Sequence, residues 1–153
     1  MLQSVRDQIV SNFVDALKGT DDAPAPCPVL RAPTQPLIRD DSIPGIVVTP
    51  LSETVVIEQS DHESQSRKLS LKVVCVFADI DTDDETIDQK VEPLTSWVES
   101  RILADETFGG LANESYVTGI TWHIEAVDAD YIGAEMTVEI LYFTARNAPD
   151  VRD

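Results

Sequence analysis

Asp79, Asp81 and Asp83 stand at the 1, 3, 5 spacing with which a calcium loop presents its carboxylates. The glycine that such a loop needs for its sharp turn is replaced by Asp84. The twelfth position is Lys90, where a bidentate glutamate belongs. The run therefore reads as the solvated acidic start of a helix. His62 and His123 are the only histidines, and neither has a second His or Cys at ligand spacing, so no zinc site is expected. Glu135 and Glu139 fall at strand spacing on a polar face, where two exposed acids are expected rather than a pair sharing a proton. No glycine-rich phosphate loop, nucleophile elbow or HExxH motif occurs. The expectation is a protein with no catalytic residue, no cofactor and no metal, whose work is contact with other proteins rather than catalysis.

The balance of charge is the second strong feature. The chain carries 28 acids against 11 bases, a formal net charge of −17. Such a charge opposes casual binding to nucleic acid or to an anionic membrane and favours solubility. Arg67-Lys68 is the only adjacent basic pair, so sequence-specific nucleic-acid readout has no footprint. Three readings of the acidity stay open: solubility alone, a surface that DNA passes without sticking, and a DNA mimic that occupies a DNA-binding enzyme. No run of residues is long and apolar enough to span a bilayer. The N-terminal MLQSVRDQIVSNFVDAL has no continuous apolar core of a signal peptide, which reads as a product kept in the cytoplasm. Two cysteines, Cys27 and Cys75, give no disulfide framework, and Cys75 in mid-strand reads as a small buried hydrophobe.

The elements that would position these residues follow from periodicity. Leu2, Val5, Ile9, Phe13 and Leu17 recur at helical spacing, with Gly19 as the stop. Residues 20–44 hold six of the nine prolines and exclude a helix or a central strand. They read as an extended arm or a surface loop. Residues 45–50 and 53–59 are short β-branched runs that read as two strands, followed by a polar loop over 60–68. The strand from Leu69 to Ile80 buries Leu69, Leu71, Val73, Cys75 and Phe77 on one face and adds Val74 and Val76 on the other, so both faces should be covered.

Thr82 and Glu85 form a capping box that opens a second helix. Its stripe is Ile87, Val91, Leu94, Val98 and Ile102, with Trp97 beside it. Pro93 should kink or restart that helix. In the strand 116–127, Tyr116, Thr118, Ile120 and Trp122 should share a face. In the strand 134–144, Ala134, Met136, Val138, Ile140 and Tyr142 face the core, while Leu141 and Phe143 break the polar alternation behind them. The order α-β-β-β-α-β-β predicts an α+β domain over residues 1–145: an antiparallel or mixed sheet of four to five strands with both helices on one face, and residues 146–153 as a frayed tail.

The chain resembles the tail terminators of long-tailed bacteriophages, the lambda-type minor tail protein U family. The resemblance rests on the N-terminal helix, the strand GIVVTP, the polar loop running into LSLKVVCVF, the helix carrying WVESRIL, and the ending GAEMTVEILYFTAR. It implies a virion component at the head-proximal end of the tail. Six copies would form a homohexameric ring that ends tail-tube polymerisation. One face of that ring would meet the tail tube protein and the other the head connector or stopper, with DNA passing through unbound. Another neck or tail-completion protein is the near alternative. The candidate contact residues, to neighbouring subunits or to the tube, are Asp61, His62, Glu63, Arg67 and Lys68 in the polar loop, Val74 and Val76 on the second face of their strand, and Leu141 and Phe143.

Overall fold

A computed structural model describes residues 3–18, 29–31, 45–78, 87–105, 107–123 and 131–152. The elements are α1 (Val5–Leu17), β1 (Val29–Arg31), β2 (Gly45–Val56), a single 3-10 turn (Ile57–Gln59), β3 (Ser64–Ala78), α2 (Ile87–Ala104), β4 (Glu114–His123), β5 (Tyr131–Ala145) and β6 (Ala148–Arg152). They form one mixed sheet in the order β1-β2-β3-β5-β4, with β6 on β5. This is the α+β fold expected from the sequence, with both helices packed against the sheet.

Why α1 forms is visible at its ends. The Ser4 side chain accepts the Asp7 backbone N–H at 3.1 Å, satisfying one of the donors that a helix start leaves open. Val5, Ile9, Val10, Phe13, Val14 and Leu17 then turn one face inward. Helix α2 buries Val91, Leu94, Val98 and Ile102. It runs on through Pro93 without the restart expected there. The pyrrolidine is exposed, so its bulk meets solvent rather than the packed face. Thr95 is buried on the inner stripe because its hydroxyl donates to the Glu92 carbonyl at 3.0 Å, a bond within its own helix. The expected capping box at Thr82 and Glu85, the acidic run from Asp79, and most of the proline segment lie outside the described residues.

Both helices share a single core with one face of the sheet, here called the inner face. Leu69, Leu71, Val73 and Cys75 of β3 meet Met136, Val138, Ile140 and Tyr142 of β5, with Ile46 and Val48 of β2 alongside. Each large side chain fully buried there contributes roughly 1.5–3 kcal/mol. Phe13 of α1 closes the far side against Phe108, ring centroids 5.3 Å apart. Phe108 takes a left-handed backbone, φ 47°, at the head of a turn that Gly109 and Gly110 continue at φ 75° and 82°. The Asp105 carboxylate accepts the Gly109 N–H at 3.0 Å and holds this turn together. That bond, first among several, keeps the Asp105 carboxyl below its ordinary range.

Five expectations are corrected. The two short strands over 45–59 are one strand, β2, carried across Pro50 by a bulge between Pro50 and Ser52. Residues Val29–Arg31, inside the proline-rich segment, pair in parallel with Ile46–Val48. Three residues at a sheet edge are what proline neighbours permit. The polar loop shrinks at its C-terminal end, because β3 begins at Ser64 rather than Leu69. The tail is not frayed: Ala148–Arg152 forms β6, with Ala148 opposite Ala145 and Arg152 opposite Thr144. Since β3 already holds one edge of β5 as far as Ala145, β6 continues along the edge that β4 leaves at Leu141.

The fifth correction concerns β4. A bulge between Val117 and Gly119 inverts its alternation. Tyr116 lies opposite Glu139 on the outer face, whereas Ile120 and Trp122 lie opposite Met136 and Ala134 on the inner one. One extra residue in a strand is invisible to a period-two reading.

Candidate functional site

The β2–β3 hairpin holds the most polar part of the inner face. Glu53, opposite Leu69 in the register, points inward with its side chain only 12% exposed. Arg67 Nη1 lies 3.0 Å from Glu53 Oε2, and Arg6 of α1 reaches the same oxygen at 2.7 Å. The Tyr142 hydroxyl donates to the other carboxylate oxygen. Arg67 also donates from Nε to the Thr144 hydroxyl at 2.9 Å and from Nη2 to Gln65 Oε1 at 2.9 Å. One carboxylate thus ties α1, β2, β3 and β5 together. Burial, together with the negative charge it faces, pushes the Tyr142 phenol well above its ordinary value of 10.0.

The sequence places Arg67 in an exposed loop as a contact residue. The structure places it in this knot, because a strand that starts at Ser64 turns Arg67 inward. Nothing in the spacing marks Glu53 and Tyr142 as polar partners. Each looks like an ordinary strand residue, and only register brings them to one point. Lys68, next along β3, faces outward, its Nζ 3.8 Å from Glu139 Oε1 across the surface of the sheet. Such a pair at the surface contributes little.

Beyond the knot the hairpin ends in a turn. Asp61 Oδ1 accepts the backbone N–H groups of Glu63 and Ser64, both at 2.8 Å. These bonds, that from Ser64 first, hold the Asp61 carboxyl below its usual range. Ser60 Oγ accepts the Ser66 N–H at 3.0 Å and donates to the Val56 carbonyl at 2.8 Å, so this turn has fixed internal bonding despite its polarity. Asp61, His62 and Glu63 are exposed on it, as expected. Ile57, at the start of the turn, is 82% exposed. Beside it an open cleft of about 490 Å³ is lined by Val55, Ile57, Asp61, His62, Gln65 and Arg146.

The remaining expected contact residues lie on the outer face in two separate groups. Leu141 lies opposite Lys68, and Phe143 opposite Ser66, near the hairpin turn. Val74 and Val76 lie at the other end of β3, with Val47 opposite Val74. Ten residues separate Ser66 from Val76, about 33 Å of strand. All four apolar side chains are half-buried, set among Lys72, Thr137, Glu135 and Glu139. The sheet therefore brings Leu141 and Phe143 to Lys68 and the turn, and keeps Val74 and Val76 away from them.

His62 is the one histidine whose side chain is described, and no three metal-ligating side chains converge among the described residues. No helix is long and apolar enough to cross a membrane among those residues. No protein-family model matches the chain, and no curated protein matches it.

Proposed function

We propose that this chain is a structural subunit of a phage tail: a terminator that forms a ring on the last ring of the tail tube and presents its opposite side to the head connector. The observation that carries this reading is the β2–β3 hairpin. Its turn stands directly on the Glu53 knot, is internally bonded and carries an exposed Ile57. A turn of fixed shape with an exposed aliphatic side chain and charged neighbours suits a protein surface far better than a small substrate. The resemblance of the sequence to tail terminators supplies the class of partner. The net charge of −17 supports it too, since an acidic ring lets DNA pass without holding it.

The hairpin turn is assigned to the tube. Electron microscopy of the purified chain mixed with its cognate tube protein tests this. Tubes should stop growing and carry a cap at one end. Tubes that keep growing with bare ends at a molar excess of this chain would reject the reading.

A further inference from the structure

Four strands of the sheet have an open edge among the described residues: β1, β2 where β1 leaves it, β4 and β6. β1 is three residues long, and β6 carries Pro149 and Asp150, residues that block an edge, so β2 and β4 offer the longer unguarded edges. β1 covers β2 only at Ile46–Val48, so β2 is bare on that side beyond its bulge, over residues 52–56. β4 pairs with β5 alone and, beyond its own bulge, runs over residues 119–123. Each is a regular five-residue run that starts just after a bulge. Each also shows exposed apolar surface: Val55 is 37% exposed and Trp122 42% exposed.

Both runs are poor in free charge. The chain has 28 acids in 153 residues, yet residues 116–123 contain no Asp, Glu, Lys or Arg. The single acid in 52–56 is Glu53, turned inward and paired with two arginines. An open strand edge without a charge on it is a template for another strand, which soluble proteins ordinarily block. Here the bulges shorten each edge to a finite run, which suits a defined contact and opposes unlimited stacking.

We infer that copies of this chain join edge to edge: residues 52–56 of one β2 pair with residues 119–123 of the neighbour's β4, continuing the sheet from subunit to subunit. The occupant is a second copy because both edges belong to one sheet and match in length. A chain this acidic repels copies of itself, and least where both surfaces lack unpaired acid. Two unlike edges make a head-to-tail contact, which closes into a ring when the rotation between neighbours permits. This rests on the ring reading above and says which strands build the ring.

The test adds the missing acid to one edge at a time. Val55→Glu and Trp122→Glu are exposed changes, and circular dichroism with a melting curve should show both variants folded. By sedimentation equilibrium, the unaltered chain should associate as concentration rises, and each variant should associate at least tenfold more weakly. A mixture of the two should form a one-to-one dimer and nothing larger, since each variant retains the edge the other has lost. Oligomers that persist in both variants would overturn the edge assignment, as would a mixture that forms no dimer. Monomers of the unaltered chain at every concentration would also overturn it. Tube capping, scored separately, then decides the ring reading by itself.

Discussion

The turn of the β2–β3 hairpin and the strand pairs at the base of that turn differ in what holds their polar groups. At the base, Glu53, Arg67, Arg6 and Tyr142 satisfy one another inside the helix–sheet layer. At the turn, Asp61 and Ser60 bond backbone N–H groups and leave His62, Glu63 and Ile57 facing solvent. The base uses polar residues to join four elements, and the turn uses them to fix its own shape. Charge changes should therefore unfold the first region and leave the second folded but unable to bind.

The largest effect is expected at Glu53. Glu53→Ala leaves two guanidinium groups and a phenol without their acceptor, and should cost about 3 kcal/mol in a urea titration, the magnitude for breaking a largely buried pair. A loss near that of a surface ion pair would show that the knot is not what ties α1 to the hairpin.

Gly133→Ala is a control away from both regions. An added Cβ would stand 2.5 Å from the Cys75 carbonyl oxygen on β3, a backbone atom that cannot swing aside. Overpacking of this kind costs roughly 1–3 kcal/mol. If Gly133→Ala matched the unaltered chain, β3 and β5 would have to pair more loosely at that end than the register requires.

An alkaline titration separates base from turn next. The folded phenol of Tyr142 ionises above its ordinary value, so the unfolded chain releases that proton first. The knot's stability is complete below pH ~10 and falls as pH rises beyond it. Tyr142→Phe should flatten that fall in melting temperature. An unchanged slope would remove Tyr142 as the titrating group.

Acid acts in the opposite sense and more weakly. Asp7 is held low chiefly by its hydrogen bond with Arg31, 2.6 Å away, so this contact is intact above the ordinary carboxylate range near pH 4 and is lost as pH falls through the lower folded value. Arg31→Gln should shrink the acid-induced drop in melting temperature slightly. An equal drop with and without Arg31 would mean that the exposed pair is fully screened.

The smallest stability effect belongs to the turn. His62→Glu with Glu63→Lys should change stability by no more than about 0.5 kcal/mol while impairing tube capping. Charge reversal at Arg67 cannot serve for this purpose, because it would strike the knot. Capping that survives the double change would move the contact away from the turn.

Much of this architecture can be read directly from the chain. Val5, Ile9, Phe13 and Leu17 mark α1. Val91, Leu94, Val98 and Ile102 mark α2. The alternation from Ala134 to Tyr142 marks β5. In each case the burying face repeats at the period of its own backbone, so local spacing carries the information. The exposed turn at Asp61, His62 and Glu63, and the placement of Leu141 and Phe143 on the polar face, were legible for the same reason.

What tertiary structure alone decided is register. Whether Arg67 points to solvent or to Glu53 depends on where β3 starts. Whether Trp122 joins Tyr116 or Met136 depends on a single extra residue at Thr118. A one-residue shift moves every later side chain of a strand to the other face, and no pattern along one strand records how its neighbour is aligned. The amino-acid order by itself determined an acidic two-helix, one-sheet domain. Only the pairing of its strands decided which polar residues became the knot and which strand edges were left open to a neighbour.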